Sequence, residues 1–125
     1  MADLTTIILT YNEERNIANA INSVKKLAKR IVVVDSFSTD KTIEIAKSLG
    51  AEIIEHEFEN QAKQFIYAIN HLKIDTQWIM RLDADEIISK KASKEIEEIC
   101  FFNKDTDING IVVRFEVNFL GKKLR

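Results

Sequence analysis

The chain has no proline, three glycines and one cysteine in 125 residues. Each shortage excludes something. Without proline or glycine clusters there is no linker and no low-complexity segment, so a single domain over residues 1–125 is expected. Cys100 alone cannot form an internal disulfide, which fits a reducing, cytoplasmic setting. No apolar run approaches the ~18 residues of a membrane span, so no transmembrane segment is expected. The opening stretch, "MADLTTIILT", lacks a basic n-region and does not read as a signal peptide. Charge of one sign is also lacking: 18 basic residues face 20 acidic ones, for a net charge of −2. That balance excludes a nucleic-acid binder held by phosphate attraction.

The glycines, Gly50, Gly110 and Gly121, are too scattered to build a phosphate cradle. A dinucleotide fold wants G-x-G-x-x-G after its first strand, where this chain has "TYNEER". A P-loop sequence occurs nowhere. Two common phosphate-binding solutions are therefore missing.

What is present alternates. Short β-branched runs predict strands at 5–10, 31–35, 51–55, 77–83 and 110–119. Helical spacing predicts helices between them: from Asn12 as N-cap to Ala28, over 38–50, over 60–72 and over 93–102. In the third helix Ala62, Phe65, Ile66, Ile69 and Leu72 would face the core. Repeated strand–helix–strand units imply an α/β fold, a mostly parallel sheet with helices on both faces. Ligands of such sheets bind beyond the carboxyl ends of the strands. The polar clusters "YNEE", "DSFSTD" and "DADE" follow strands one, two and four, so all three fall on that edge.

The stretch "RLDADEII" needs a physical account. In an extended chain Asp83 and Asp85 point to the same side, and at ~6 Å and a dielectric of ~20 they repel by roughly 3 kcal/mol. A divalent cation, Mn2+ or Mg2+, would reverse that repulsion, because hard cations take carboxylate oxygens and complete their shell with phosphate oxygens. His56 and His71 have no partner at metal-ligand spacing. Cys100 reads as a small buried hydrophobe.

The three segments "TIILTYNEE", "VVVDSFSTDKT" and "WIMRLDADE", in this order and spacing, resemble family 2 glycosyltransferases of the GT-A, Rossmann-like fold. The flavour is that of bacterial enzymes building lipopolysaccharide core or other cell-envelope glycans. The resemblance implies a nucleotide-binding set of Thr10, Tyr11, Asn12, Glu13, Asp35, Ser36, Asp83 and Ala84. Tyr11 would line the base pocket, Glu13 would hold base or ribose, and Asp35 would accept a ring N–H. Asp85 would bind the metal directly, with Asp83 in the metal shell or on the ribose. The implied donor is a UDP- or GDP-sugar, the acceptor a glycan or a lipid-linked glycan, and the outcome inversion. Lys63 is a further candidate for the diphosphate.

Two positions depart from the pattern. Phe37 and Lys41 stand where such enzymes often have glycine. A positive φ would strain Phe37, so a different local turn is expected there. The family also implies an acceptor-binding half, with the general base, beyond Arg125; within the chain the nearest carboxylate, Glu86, sits on the metal side. Truncation before that half, exposed apolar surface and a homodimer are corresponding expectations. The basic ending "GKKLR" suits peripheral attachment at the inner face of the cell membrane. Competing readings are a non-catalytic nucleotide-sugar-binding half-domain, a haloacid-dehalogenase-like phosphotransferase and a response-regulator receiver domain.

Overall fold

The computed structural model describes residues 1–102 and the strand 110–113. Residues 114–119 of the predicted fifth strand, and the basic ending, lie outside the described residues. The elements follow in the order β1 (Ala2–Thr10), α1 (Ile17–Val24), β2 (Ala28–Asp35), α2 (Thr42–Ser48), β3 (Glu52–Glu55), α3 (Gln61–His71), β4 (Trp78–Asp83), α4 (Lys90–Phe102) and β5 (Gly110–Val113).

The strands form one sheet in the order β3-β2-β1-β4-β5, and each neighbouring pair is parallel. Receiver domains use the order 2-1-3-4-5, so that alternative is excluded by topology. Strand order turns back at β1, which pairs with β2 on one side and β4 on the other. The carboxyl ends of β1 and β4 are therefore where a ligand crevice is expected.

Both faces of the sheet are covered, which is why its central strands read as near-continuous apolar runs. Alternation sends Leu4, Ile8, Val33, Met80 and Leu82 to one side, where they pack with Ile17, Ile21 and Val24 of α1, Ala46 of α2, and Ala92, Ile96 and Cys100 of α4. Ile7, Val32, Val34 and Ile79 point the other way, against Phe65 and Ala68 of α3. Each large side chain buried in this way contributes about 1.5–3 kcal/mol.

Helix starts differ from the sequence expectation for identifiable reasons. Asn12 is not an N-cap. Its φ is 51°, and a tight turn places the N–H groups of Asn16 and Ile17 on the carbonyl of Glu13, so α1 begins only at Ile17. Helix α4 begins three residues earlier than predicted, because Ser89 caps it: its Oγ accepts the Ala92 N–H at 3.0 Å. Helix α3 starts as expected, with Asn60 accepting the Lys63 N–H at 2.8 Å. Its buried face is rotated from the apolar reading. Ala62 and Ile66 are exposed, while Gln64 is buried among polar partners.

Cys100 is buried as expected, and desolvation, with smaller contributions from Asp3 and Glu97, pushes its thiol up to about 11. The thiolate is the reactive form. Alkylation by iodoacetamide at pH 7.5 is therefore expected to be negligible for the folded protein and rapid in denaturant, as mass spectrometry would record. Fast native labelling would contradict this burial.

Candidate active site

At the carboxyl edge of the sheet lies a cleft of about 510 Å³. Leu9, Thr10, Tyr11 and Glu13 enter it from the end of β1, and Ser36 from the end of β2. Phe58 comes from the segment between β3 and α3, Gln61 and Gln64 from the start of α3, and Asp83, Ala84 and Asp85 from the end of β4. Of the residues expected at the site, Thr10, Tyr11, Glu13, Ser36, Asp83, Ala84 and Asp85 are thus brought together. Asn12 and Asp35 are not on its wall. Lys63 does not line it either; its ammonium pairs with Glu59 at 2.8 Å.

Asp35 is completely buried and organises the wall from behind. Its Oδ1 accepts the hydroxyls of Thr10 (2.6 Å) and Ser38 (2.5 Å), and its Oδ2 accepts the Ser38 N–H at 2.6 Å. Ser38 Oγ in turn accepts the Asn12 N–H at 2.7 Å, and the Asn12 side chain accepts the Thr39 N–H at 2.8 Å. Further out, the Glu13 N–H donates to Thr42 Oγ1 at 2.8 Å and the Lys41 N–H to Glu14 Oε1 at 3.1 Å. Desolvation pushes Asp40 up, but hydrogen bonds from the Thr42 hydroxyl, the Thr42 N–H and the Glu14 N–H outweigh it and hold the carboxyl below its ordinary value. The polar clusters after β1 and β2 are thereby bonded into one unit.

That unit requires an unusual backbone at residue 37. Phe37 has φ 61°, so the turn keeps its left-handed geometry and the expected change of turn does not occur. The Ser38 N–H must point back at Asp35, and the chain accepts the strain to aim it there. Phe37 is 55% exposed and loses little burial if removed. The left-handed region costs a non-glycine residue ~1–2 kcal/mol, against an entropy cost of ~0.5–1 kcal/mol for glycine. Phe37→Gly is therefore expected to raise stability by about 0.5–1 kcal/mol in a urea titration; a loss of stability would show that the ring makes a contact worth more than the strain.

The acidic stretch after β4 separates into distinct roles. Asp83 ends the strand, and a tight turn follows, closed by the Glu86 N–H on the carbonyl of Asp83 at 2.9 Å. The extended geometry expected for Asp83 and Asp85 is therefore replaced by a strand end followed by a turn, with both residues still on the cleft. Glu86 does not line the cleft. It is 2% exposed, and its carboxylate accepts the Asp83 N–H at 2.9 Å, bracing the turn from within.

Electrostatics decides what the cleft can hold. Three carboxylates, Glu13, Asp83 and Asp85, line it, and no lysine or arginine does so among the described residues. Nor do three His, Cys, Asp or Glu side chains gather into a closed metal cage among the described residues. A diphosphate alone would be repelled. Two carboxylates, Asp83 and Asp85, are, however, a donor set that suits a hard divalent cation shared with phosphate oxygens.

Sequence reasoning missed Phe58, Gln61 and Gln64. Gln64 lies 1% exposed and bonds Ser36 and His56. Its signal, one polar residue on the inner face of a helix, is visible only once the face is known.

The cleft at the sheet's switch point, with its acidic turn, can be set beside known proteins. The family model described as Glycosyl transferase family 2 matches residues 5–125. The chain belongs to that family. A protein described as an uncharacterized glycosyltransferase of Rickettsia typhi is 42% identical over 99 residues, covering 79% of this chain and 33% of its own length. The chain thus spans about a third of the length of such relatives. Among solved structures, S. aureus TarS in complex with UDP-GlcNAc matches with a TM-score of 0.63 at 23% identity, over 81% of this chain and 32% of TarS. Glucosyl-3-phosphoglycerate synthase from Mycobacterium tuberculosis, solved with Mn2+, UDP and glucosyl-3-phosphoglycerate, matches with a TM-score of 0.57 at 20% identity, over 66% and 33% of the two chains. These likenesses establish the GT-A, Rossmann-like fold of this family 2 member. No helix among the described residues is long and apolar enough to cross a membrane.

Proposed function

We propose that this family 2 domain binds a nucleotide-diphosphate sugar, UDP- or GDP-linked, and serves an inverting transfer of the sugar to a cell-envelope glycan or lipid-linked acceptor. The observation that carries the reading is the charge of the cleft: carboxylates at the β4 end and no basic side chain among its described lining residues. Such a cleft takes a diphosphate only together with a cation. Asp85 would ligate Mn2+ or Mg2+ directly and Asp83 would complete the shell or hold the ribose. Bound there, the cation supplies stabilisation of the negative charge that develops on the departing diphosphate.

The remaining work falls to the protein's own groups. Tyr11, 56% exposed on the cleft, offers a ring face to the base. Glu13, its backbone tied to Thr42, would hold a hydrogen-bond donor of the base or ribose. Asp35 keeps Thr10 and Ser38 in place from inside and thereby fixes the turns on which Tyr11 and Ser36 sit. No step here deprotonates the acceptor; the base for it is assigned to the family's acceptor-binding half. A lipid-linked acceptor would place the whole enzyme at the inner face of the cell membrane.

A non-catalytic nucleotide-sugar-binding role is the second reading. Calorimetric titration of UDP and GDP with and without Mn2+ tests the common core of both. Binding that needs the metal is the expected result, and tight binding in EDTA would overturn it. Release of sugar or its transfer to added glycan then separates enzyme from binding module.

A further inference from the structure

Asparagine is a weak helix former, and its usual reason for standing at a helix start is to cap it. Asn16, directly before α1, does not do so. Its backbone is already in the right-handed helical region (φ −112°, ψ −24°), and its side chain makes no capping hydrogen bond. A capping residue needs a non-helical backbone, so the side chain is left to other work. Its amide donates instead to Glu13 Oε1 at 3.0 Å, one helical turn back.

Glu13 lines the cleft, and its backbone is engaged at both ends. Its N–H donates to Thr42 Oγ1 at 2.8 Å. Its carbonyl accepts the N–H groups of Asn16 at 2.9 Å and Ile17 at 2.8 Å. Only the half-buried side chain keeps torsional freedom, and the Asn16 amide restrains it. That bond occupies one acceptor position of the carboxylate, and the others remain for a ligand.

We infer that Asn16 is a positioning residue, which holds the Glu13 carboxylate ready to accept a hydroxyl or N–H of the bound nucleoside. The inference rests on the nucleotide reading of the cleft. A carboxylate only accepts, and a metal-bound diphosphate has no hydrogen to give, so the group held by Glu13 belongs to ribose or base. A side chain restrained before the ligand arrives needs no further ordering on binding, and affinity gains by that amount. The bond itself is exposed to water and adds little to stability. Its effect falls on binding.

The test is a double-mutant cycle. Wild type, Asn16→Ala, Glu13→Ala and the double variant are titrated calorimetrically with UDP in Mn2+, with a melting curve for each. Asn16→Ala is expected to weaken UDP binding roughly three- to tenfold, the range for one side chain that must now be ordered on binding. Its melting temperature should equal or exceed that of the wild type, because alanine is the better helix former. In the Glu13→Ala background the same change should cost nothing further, since the carboxylate that Asn16 positions is gone. A purely structural role for Asn16 would give the same loss in both backgrounds. That result, or unchanged UDP affinity in Asn16→Ala, overturns the inference and leaves the nucleotide reading standing. Absence of UDP binding to the wild type in Mn2+ would remove both together.

Discussion

Replacing Asp85 with alanine is expected to weaken Mn2+-dependent nucleotide binding by roughly 100-fold or more, since even groups that merely support a metal ligand are worth ~10–100-fold. The same change should leave the fold intact. Asp85 is exposed and sits in a turn whose bracing comes from Glu86 rather than from its own side chain. Surface substitutions of this kind stay within about 0.5 kcal/mol. The combination is informative because removing a carboxylate from an acidic cleft would, without a cation, favour a diphosphate. Improved nucleotide binding by Asp85→Ala would therefore mean that no metal works there. Asp83→Ala should lose binding too. Calorimetry with UDP, with and without Mn2+, measures both variants.

The second large effect concerns stability. Asp35→Ala deletes a buried carboxylate that accepts three hydrogen bonds and leaves the Thr10 hydroxyl and both Ser38 donors without it. Hydrogen bonds to a charged group are worth about 1.5–3 kcal/mol each, and they are not additive. A total loss of about 3–5 kcal/mol is expected, comparable to breaking other buried charge networks. Against a typical stability of ~5–15 kcal/mol this is severe, and it should lower the melting temperature by roughly 10 °C or more. Asp35→Asn should fall between, because its Oδ1 can still accept while its NH2 would oppose the Ser38 N–H. A thermal melt within about 2 °C of wild type for the alanine variant would contradict the organising role given to Asp35.

These two carboxylates show what was legible in the sequence and what was not. Alternating β-branched runs and helical spacing are read directly from side-chain periodicity, so the element order and the parallel sheet follow from the residues. The carboxyl-edge rule then places "YNEE", "DSFSTD" and "DADE" on one crevice, and Tyr11, Ser36, Asp83 and Asp85 do share it. Periodicity cannot say which of several neighbouring acids faces inward. Asp35 reads as a nucleotide ligand in the sequence and Glu86 as a carboxylate of the metal side, yet both are buried, on hydroxyl and backbone donors for Asp35 and on the Asp83 N–H for Glu86.

The same limit explains Asn12 and α3. An asparagine before a helical pattern signals an N-cap, but at φ 51° Asn12 instead ties its loop to Thr39. The apolar stripe of α3 suggested a face containing Ile66, whereas Ile66 is 53% exposed and Gln64 lies inside. A glutamine is tolerated there because all its amide hydrogen bonds are made by Ser36 and His56. Those partners are 28 and 8 residues away, too far for any local pattern to carry. Phe37 marks the opposite case. Its departure from glycine was visible at once, but only the bond from Ser38 to Asp35 shows why the strained turn is kept.

Crystals soaked with MnCl2 and UDP, with anomalous scattering recorded for manganese, test the central claim most directly. The account predicts one strong peak within about 2.5 Å of an Asp85 carboxylate oxygen, with diphosphate oxygens on its other side. Nucleotide density in the cleft with no metal peak beside Asp83 or Asp85 would contradict it.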